Sequence, residues 1–244
     1  AGLSIGLGTV KLTDNTISGN QATNGTGGVS IWACEAATLD GNTLTDNTGA
    51  WGGGLNLDRS PATLTNNSIS ENTSSTWGGG LFVLNDATLT LTGNTICANS
   101  APGYGGGLMV KDSTIIAKDN NISENATGAD GALFIQRSTL TLENNTLEDN
   151  TTQGEGGALV ISESSGTIKN NTIEFNEANY GAGGLTIKAS SPTLSGNTVA
   201  SNTGHGITLS GSSPTIDDNS ICDNSGDGIL LFVDYKSGGD PAKA

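Results

Sequence analysis

The chain has 244 residues, with 24 acidic against 9 basic side chains, a net charge of −15, 37 glycines and only three Trp, three Tyr and four Phe. So large an acidic excess leaves too few cations to neutralise a row of phosphates and excludes nucleic acid as a partner; it equally disfavours docking on anionic lipid. No apolar run approaches the length of a bilayer span, so membrane insertion is not expected.

From Leu3-Ser4-Ile5 onward the chain is one repeat. The pattern Asn-x-aliphatic-x-x-Asn occurs nine times, at Asn15–Asn20, Asn42–Asn47, Asn67–Asn72, Asn94–Asn99, Asn120–Asn125, Asn145–Asn150, Asn171–Asn176, Asn197–Asn202 and Asn219–Asn224. Its first Asn recurs at intervals of 27, 25, 27, 26, 25, 26, 26 and 22 residues, and a period in the twenties marks stacked coils. Three short strands are predicted per coil. The first ends at an aliphatic residue three places before the first Asn, running from Leu12 and Leu39 to Leu194 and Ile216. The second holds the aliphatic residue between the two Asn, from Ile17 and Leu44 to Val199 and Ile221. The third follows a Gly-rich turn and alternates inward and outward, with inward pairs from Val29/Ile31 and Leu55/Leu57 to Ile229/Leu231.

None of these strands can pair within its own repeat, so successive repeats must stack and join like strands into parallel sheets around a continuous aliphatic core. The expected fold is all-β, a single-domain parallel β-helix of about nine coils over residues 1–235, with three short parallel sheets and a polar tail over 236–244. At about 4.8 Å per coil the rod is on the order of 43 Å long, and parallel crossovers favour a right-handed coil. Asn at the corners is expected to adopt unusual backbone angles and to bond with the Asn above and below.

The turns Gly156-Gly157-Ala158-Leu159 and Gly131-Ala132-Leu133, paired with Ile69 to Asn72 and Ile122 to Asn125, resemble those of right-handed parallel β-helix repeat proteins. More narrowly they are similar to the repeats of chlamydial polymorphic membrane proteins, whose hallmarks are Gly-Gly-Ala-aliphatic and Phe-x-x-Asn; here Ile or Leu stands in place of the Phe. The resemblance implies a secreted or surface-exposed, often adhesive protein and names no ligand. The chain opens at Ala1 without a charged-then-apolar leader, and a secreted form with its signal peptide removed is the expectation.

Many β-helices act on polysaccharides, and that chemistry needs paired carboxylates or acidic Ca²⁺ ligands with a basic residue on an outer sheet face. The outward positions of the third strand read Ser30, Asn56, Phe82, Met109, Phe134, Val160, Thr186, Thr208 and Leu230, all uncharged. Gly204-His205-Gly206 and Asp217-Asp218 resemble fragments of polygalacturonases, but their order is reversed and the first occupies the same slot as Gly226-Asp227-Gly228. A non-enzymatic protein is therefore expected.

Register converts the repeat into surface columns. Phe82, Met109, Phe134 and Val160 form an apolar column that is either roofed by a loop or a protein–protein contact, and Leu230 and Phe232 are further candidates for a protein interface. Trp51, Trp77 and Tyr104, with Tyr180 in a comparable slot, precede Gly-rich turns and either stabilise them or offer a platform for sugar rings. Glu124 and Asp149 share one acidic column and Glu148 stacks on Glu174 in another, solvated or bridged by Ca²⁺. Lys118, Glu143 and Lys169 alternate in sign, as in a salt-bridge ladder. Thr16/Ser18, Thr43/Thr45, Ser68/Ser70, Thr95/Cys97 and Asn121/Ser123 form a hydroxyl row of the kind seen in ice-binding β-helices, interrupted by Glu148 and Glu174.

Cys97 and Cys222 share a column five coils apart, on the order of 24 Å, and Cys34 lies elsewhere in the coil, so no intrachain disulfide is expected. Asn24, Asn66, Asn144 and Asn170 head Asn-x-Ser/Thr tripeptides. With no capping helix before Leu3 or after Ile229–Val233, head-to-tail stacking into a homo-oligomer or filament is the expected mode of assembly. The favoured function is a secreted structural or adhesive surface protein that binds itself or a host or cell-surface partner. A carbohydrate-binding module is the first alternative, and a polysaccharide-active enzyme or ice-binding protein the less favoured ones.

Overall fold

The computed structural model describes residues 1–232, so Val233 and the predicted tail over 236–244 lie outside the described residues. The described residues contain strands and no helix, and every strand pairing is parallel. The first sheet joins nine strands from Thr9–Thr13 and Ala36–Asp40 to Thr193–Ser195 and Thr215–Asp217. The second joins nine three-residue strands from Thr16–Ser18 to Ser220–Cys222. The third begins with Leu3–Gly6 and Val29–Trp32 and ends with Ile229–Phe232. Like positions pair in register from coil to coil, as in Ile69 with Ile96 and Leu81 with Leu108. The predicted parallel β-helix of about nine coils is the observed one.

The interior is the predicted aliphatic stack. Leu39, Leu44, Leu55, Leu64, Ile69, Leu89, Ile96 and Leu108 are 0% exposed. Each such side chain contributes about 1.5–3 kcal/mol by leaving water, and the repeat supplies three or four per coil.

Both Asn columns are buried with it. In coil after coil the Asn amide closes the corner: Asn42 donates from its backbone N and from Nδ2 to Asn67 Oδ1 (2.9 and 3.0 Å), and from Nδ2 also to the Leu12 carbonyl (2.9 Å). One Oδ1 thus accepts two bonds from the coil before it, and the buried corner amide is satisfied without water. The unusual backbone angle, however, lies one residue earlier than expected. Asp14, Asp46, Asn66, Glu71, Ala98, Asp119, Glu124, Asn144, Asp149, Asn170 and Phe175 are left-handed, with φ between 52° and 57°, and each directly precedes a ladder Asn. The reversal points the following Asn side chain inward, where its amide replaces the missing strand hydrogen bonds.

Two features were not expected from the sequence. A serine ladder closes the third corner: Ser113, Ser138 and Ser164 each accept or pass a bond along the stack, with Ser113 N to Ser138 Oγ at 3.1 Å and Ser138 N to Ser164 Oγ at 3.0 Å. A fourth short ladder, Thr48–Trp51, Thr73–Trp77, Ser100–Ala101, Ala126–Thr127 and Thr151–Thr152, follows the second Asn and merges into the long strands Glu177–Lys188 and Thr203–Ser210. After it, a left-handed glycine such as Gly52 (φ 61°) or Gly78 (φ 64°) turns the chain into the third sheet, a conformation that lacks a steric penalty only without a Cβ.

Candidate functional site

This fourth ladder decides what lies on the outer face of the third sheet. Because it arches back over that face, Phe82, Met109, Phe134 and Val160 are buried at 5%, 2%, 6% and 0% exposure and form a second small core with Trp77, Leu84 and Tyr104 against it. Of the two readings of this column, a covering loop and a partner contact, the structure has the first: the chain's own turns roof it. Leu230 is separated from Val160 in the register by Thr186 and Thr208, and Phe232 stacks on Ser210 in a different column.

The aromatic column divides in the same way. Tyr104 turns inward onto Phe134, with ring centroids 4.5 Å apart and planes tilted by 35°, and so serves packing rather than a platform. Tyr180 is 70% exposed but lies coils away, beyond Asp130 and Glu155, so it is not part of the same surface. What remains together is Trp51 and Trp77, partners in register at the ends of their strands. Trp51 is 46% exposed. Trp77 is half-buried, edge-on to Phe82 at 6.1 Å, and its ring takes the space that a side chain at Gly103 would need. The second core thus fixes its orientation.

The two tryptophans wall a groove of about 490 Å³ whose other lining side chains are Thr26, Ser30, Asn56, Asp58, Phe82, Leu84, Asn85, Lys111 and Asp112. Its floor is the outer face of the third sheet, so aromatic faces and polar tips sit on rigid strands. Lys111 Nζ lies 5.8 Å from the Trp77 ring centroid, within cation–π range. Asp58 accepts from Asn85 Nδ2 at 2.9 Å and pairs with Arg59 at 3.2 Å. Asp112 takes two bonds from Arg137 (2.7 and 2.9 Å), and that hydrogen bonding holds its carboxyl below the usual carboxylate range. The sequence columns singled out the tryptophans but not Asn56, Asp58, Asn85 or Lys111 as groove residues, although Asp58, Leu84 and Lys111 stack in one register column of the third sheet. Trp32, 42% exposed, sits on the same face with its ring over Gly6, outside the groove. A larger, shallower trough of about 780 Å³ follows the serine corner past Asp86, Asp112, Arg137 and Glu163, and no aromatic ring lines it.

Glu148 and Glu174 face outward side by side on the second sheet, whereas Glu124 and Asp149 occupy the left-handed corner beside it. Among the described residues no three Asp, Glu, His or Cys side chains gather into a group that could hold a metal ion. Lys118 and Glu143 form the expected ion pair at 2.8 Å. A second charged group was not anticipated: Lys188 Nζ lies 3.2 Å from both Asp130 and Glu155. Burial pushes the Lys188 pKa down, but the two carboxylates outweigh it and raise it overall.

His205 Nδ1 accepts the Asp227 backbone N–H at 2.9 Å, so the imidazole ties one turn to the next. Asp217 is on the first sheet and Asp218 at its corner, so neither shares a sheet with His205. All three cysteines are free: Cys34 is buried, with its N–H bonded to Ser60 Oγ (3.0 Å), Cys97 is half-buried and Cys222 is exposed. Burial, and then the Glu124 and Glu71 charges, push the Cys97 thiol up.

The chain matches the family of the right-handed β-helix region over residues 2–115 and 106–237. It belongs to that family. The expected right-handed coil agrees with this membership, and the match does not distinguish the chlamydial type of repeat. No curated protein matches the chain. Among solved structures, one similar chain is QnrB1, a plasmid-mediated fluoroquinolone resistance protein in a trypsin-treated form. It is 12% identical, with 95% of this chain and 94% of that chain covered and a TM-score of 0.22, and so weak a superposition carries no argument about the site.

Proposed function

We propose that this β-helix is a secreted, non-enzymatic surface protein of adhesive type that recognises glycans through the Trp51–Trp77 groove. The observation that carries the reading is the pairing, in adjacent coils, of two accessible indoles above a row of Asn, Asp and Lys tips. An apolar wall with a few fixed polar groups is what a pyranose needs, because its C–H face stacks on aromatic rings while its hydroxyls seek donors and acceptors. Self-association through the coil ends is retained as its mode of presentation, since one rod offers one groove and an array multiplies avidity. The similarity of the repeats to those of surface-exposed polymorphic membrane proteins supports an extracellular location.

The test is a panel of oligosaccharides against the native protein and Trp51→Ala. The reading expects a bound class and at least a tenfold weaker affinity in the variant, whose fold is checked by its unfolding midpoint. A protein that binds no glycan, or a variant that binds as tightly as the native chain, overturns it.

A further inference from the structure

Three charged side chains line the groove, Asp58, Asp112 and Lys111, and only the lysine lacks an ion-pair partner among the described residues. Its two carboxylates are already compensated: Asp58 is paired with Arg59 at 3.2 Å and Asp112 with Arg137 at 2.7 Å. Lys111, half-buried over the Trp77 ring, makes no ion pair among the described residues. The lining thus holds two carboxylates, each with an arginine partner, and one ammonium with none.

We propose that the groove selects an anionic saccharide, with a carboxylate or sulfate ester on the sugar pairing with Lys111 Nζ while a ring stacks on Trp51 or Trp77. This rests on the glycan reading above and narrows it to a charge class. The geometry suits that division of labour. The Trp77 ring lies 5.8 Å from the Lys111 ammonium and gives the lysine stem an apolar surface to rest on. Asn56 and Asn85, from the two coils that precede that of Lys111, provide neutral amides for ring hydroxyls. A neutral sugar would leave the ammonium partly desolvated and unpaired, which is the basis for discrimination.

The experiment compares a hexuronate oligomer, its carboxyl-reduced neutral counterpart and a sulfated oligomer by calorimetry, on the native protein, Lys111→Met, Lys111→Arg and Trp51→Ala. Methionine retains an apolar stem against Trp77 and removes the charge. The native protein is expected to bind at least one anionic oligomer about tenfold or more tightly than the neutral one, with a preference that fades as salt rises. Lys111→Met should erase that preference, Lys111→Arg should restore it, and Trp51→Ala should weaken all three ligands. Which anion is preferred separates carboxylate from sulfate. Equal binding of neutral and anionic oligomers, or a preference that survives in Lys111→Met, overturns the charge inference while the glycan reading stands. Absence of binding by every oligomer overturns both.

Discussion

Asn99→Ala tests whether the Asn ladder holds the corners of the coil. Asn99 is 0% exposed, and its Oδ1 accepts from both Asn72 N and Asn72 Nδ2 at 3.0 Å. Its Nδ2 donates to the Ile69 carbonyl at 2.8 Å and to Asn125 Oδ1 at 3.0 Å. Alanine removes all four bonds. Asn72 Nδ2 keeps the Leu44 carbonyl (2.8 Å) and Asn125 Oδ1 keeps the Asn99 N–H (3.0 Å), but the buried Asn72 N–H loses its acceptor. A stripped buried donor costs about 1–3 kcal/mol and each of the three other bonds about 0.5–1.5 kcal/mol net, so a loss of about 2.5–7.5 kcal/mol is expected. Asn99→Asp should be no better at neutral pH: it keeps the acceptor but presents oxygen to Asn125 Oδ1 and the Ile69 carbonyl. The assay is guanidinium unfolding followed by circular dichroism, comparing midpoints at constant slope, with exposed Thr95→Ala as a control expected within about 0.5 kcal/mol of the native chain. A loss below about 1 kcal/mol at Asn99, or an equal loss at Thr95, would refute the ladder as a structural element.

The left-handed corners give the opposite sign. Ala98 sits at φ 52°, so Ala98→Gly should gain about 0.5–1 kcal/mol after glycine's own entropic cost, read as a raised unfolding midpoint. Gly106→Ala would drive a Cβ against the Ala126 carbonyl and should cost about 1–3 kcal/mol in the same melt. Arg137→Gln should move the Asp112 titration, followed by carboxyl NMR shifts, up toward the ordinary carboxylate range. Because the native carboxyl is held low, the pair's contribution is present above the unfolded-state pKa and is lost as pH falls through the native one. Both partners are exposed, so the stability effect is small and shrinks with salt. Lys188 has the reverse sign, its pKa being raised: any stability from its ties to Asp130 and Glu155 is present below the unfolded lysine pKa and lost as pH rises through the folded one, and alkaline melts of Lys188→Met should show a smaller alkaline loss than the native chain.

The repeat made the coil legible because it encodes the same contact nine times. Ile17, Leu44 and Ile69 announce the core by position alone, and Asn15, Asn42 and Asn67 announce the corner. The left-handed residue was harder to locate, since Ala98, Glu71 and Phe175 have no composition in common. Their backbone is dictated by the Asn that follows, not by their own side chains. The serine ladder was obscured where Cys34 and Ala87 replace its hydroxyl. The arch over the third sheet was invisible for a different reason: Thr48–Trp51 and its successors are short and weakly patterned, and they are ordered by pairing with the same segment in the next coil. That arch converts Phe82, Met109 and Phe134 from surface to core and separates Tyr104 from Trp51 and Trp77. The tryptophans were readable as a column of like rings, whereas Asp58, Leu84 and Lys111 share a register column whose mixed chemistry does not mark it as a wall of the same groove.

The central claim is that glycan contacts fall on Trp51 and Trp77. Indole N–H resonances, assigned by single Trp→Phe variants, would be followed by NMR while the native protein is titrated with the oligosaccharide panel. The account predicts that the Trp51 and Trp77 signals shift together and saturably while Trp32, with its ring over Gly6 and outside the groove, stays in place. Three unmoved signals across the panel, or a shift confined to Trp32, would contradict it.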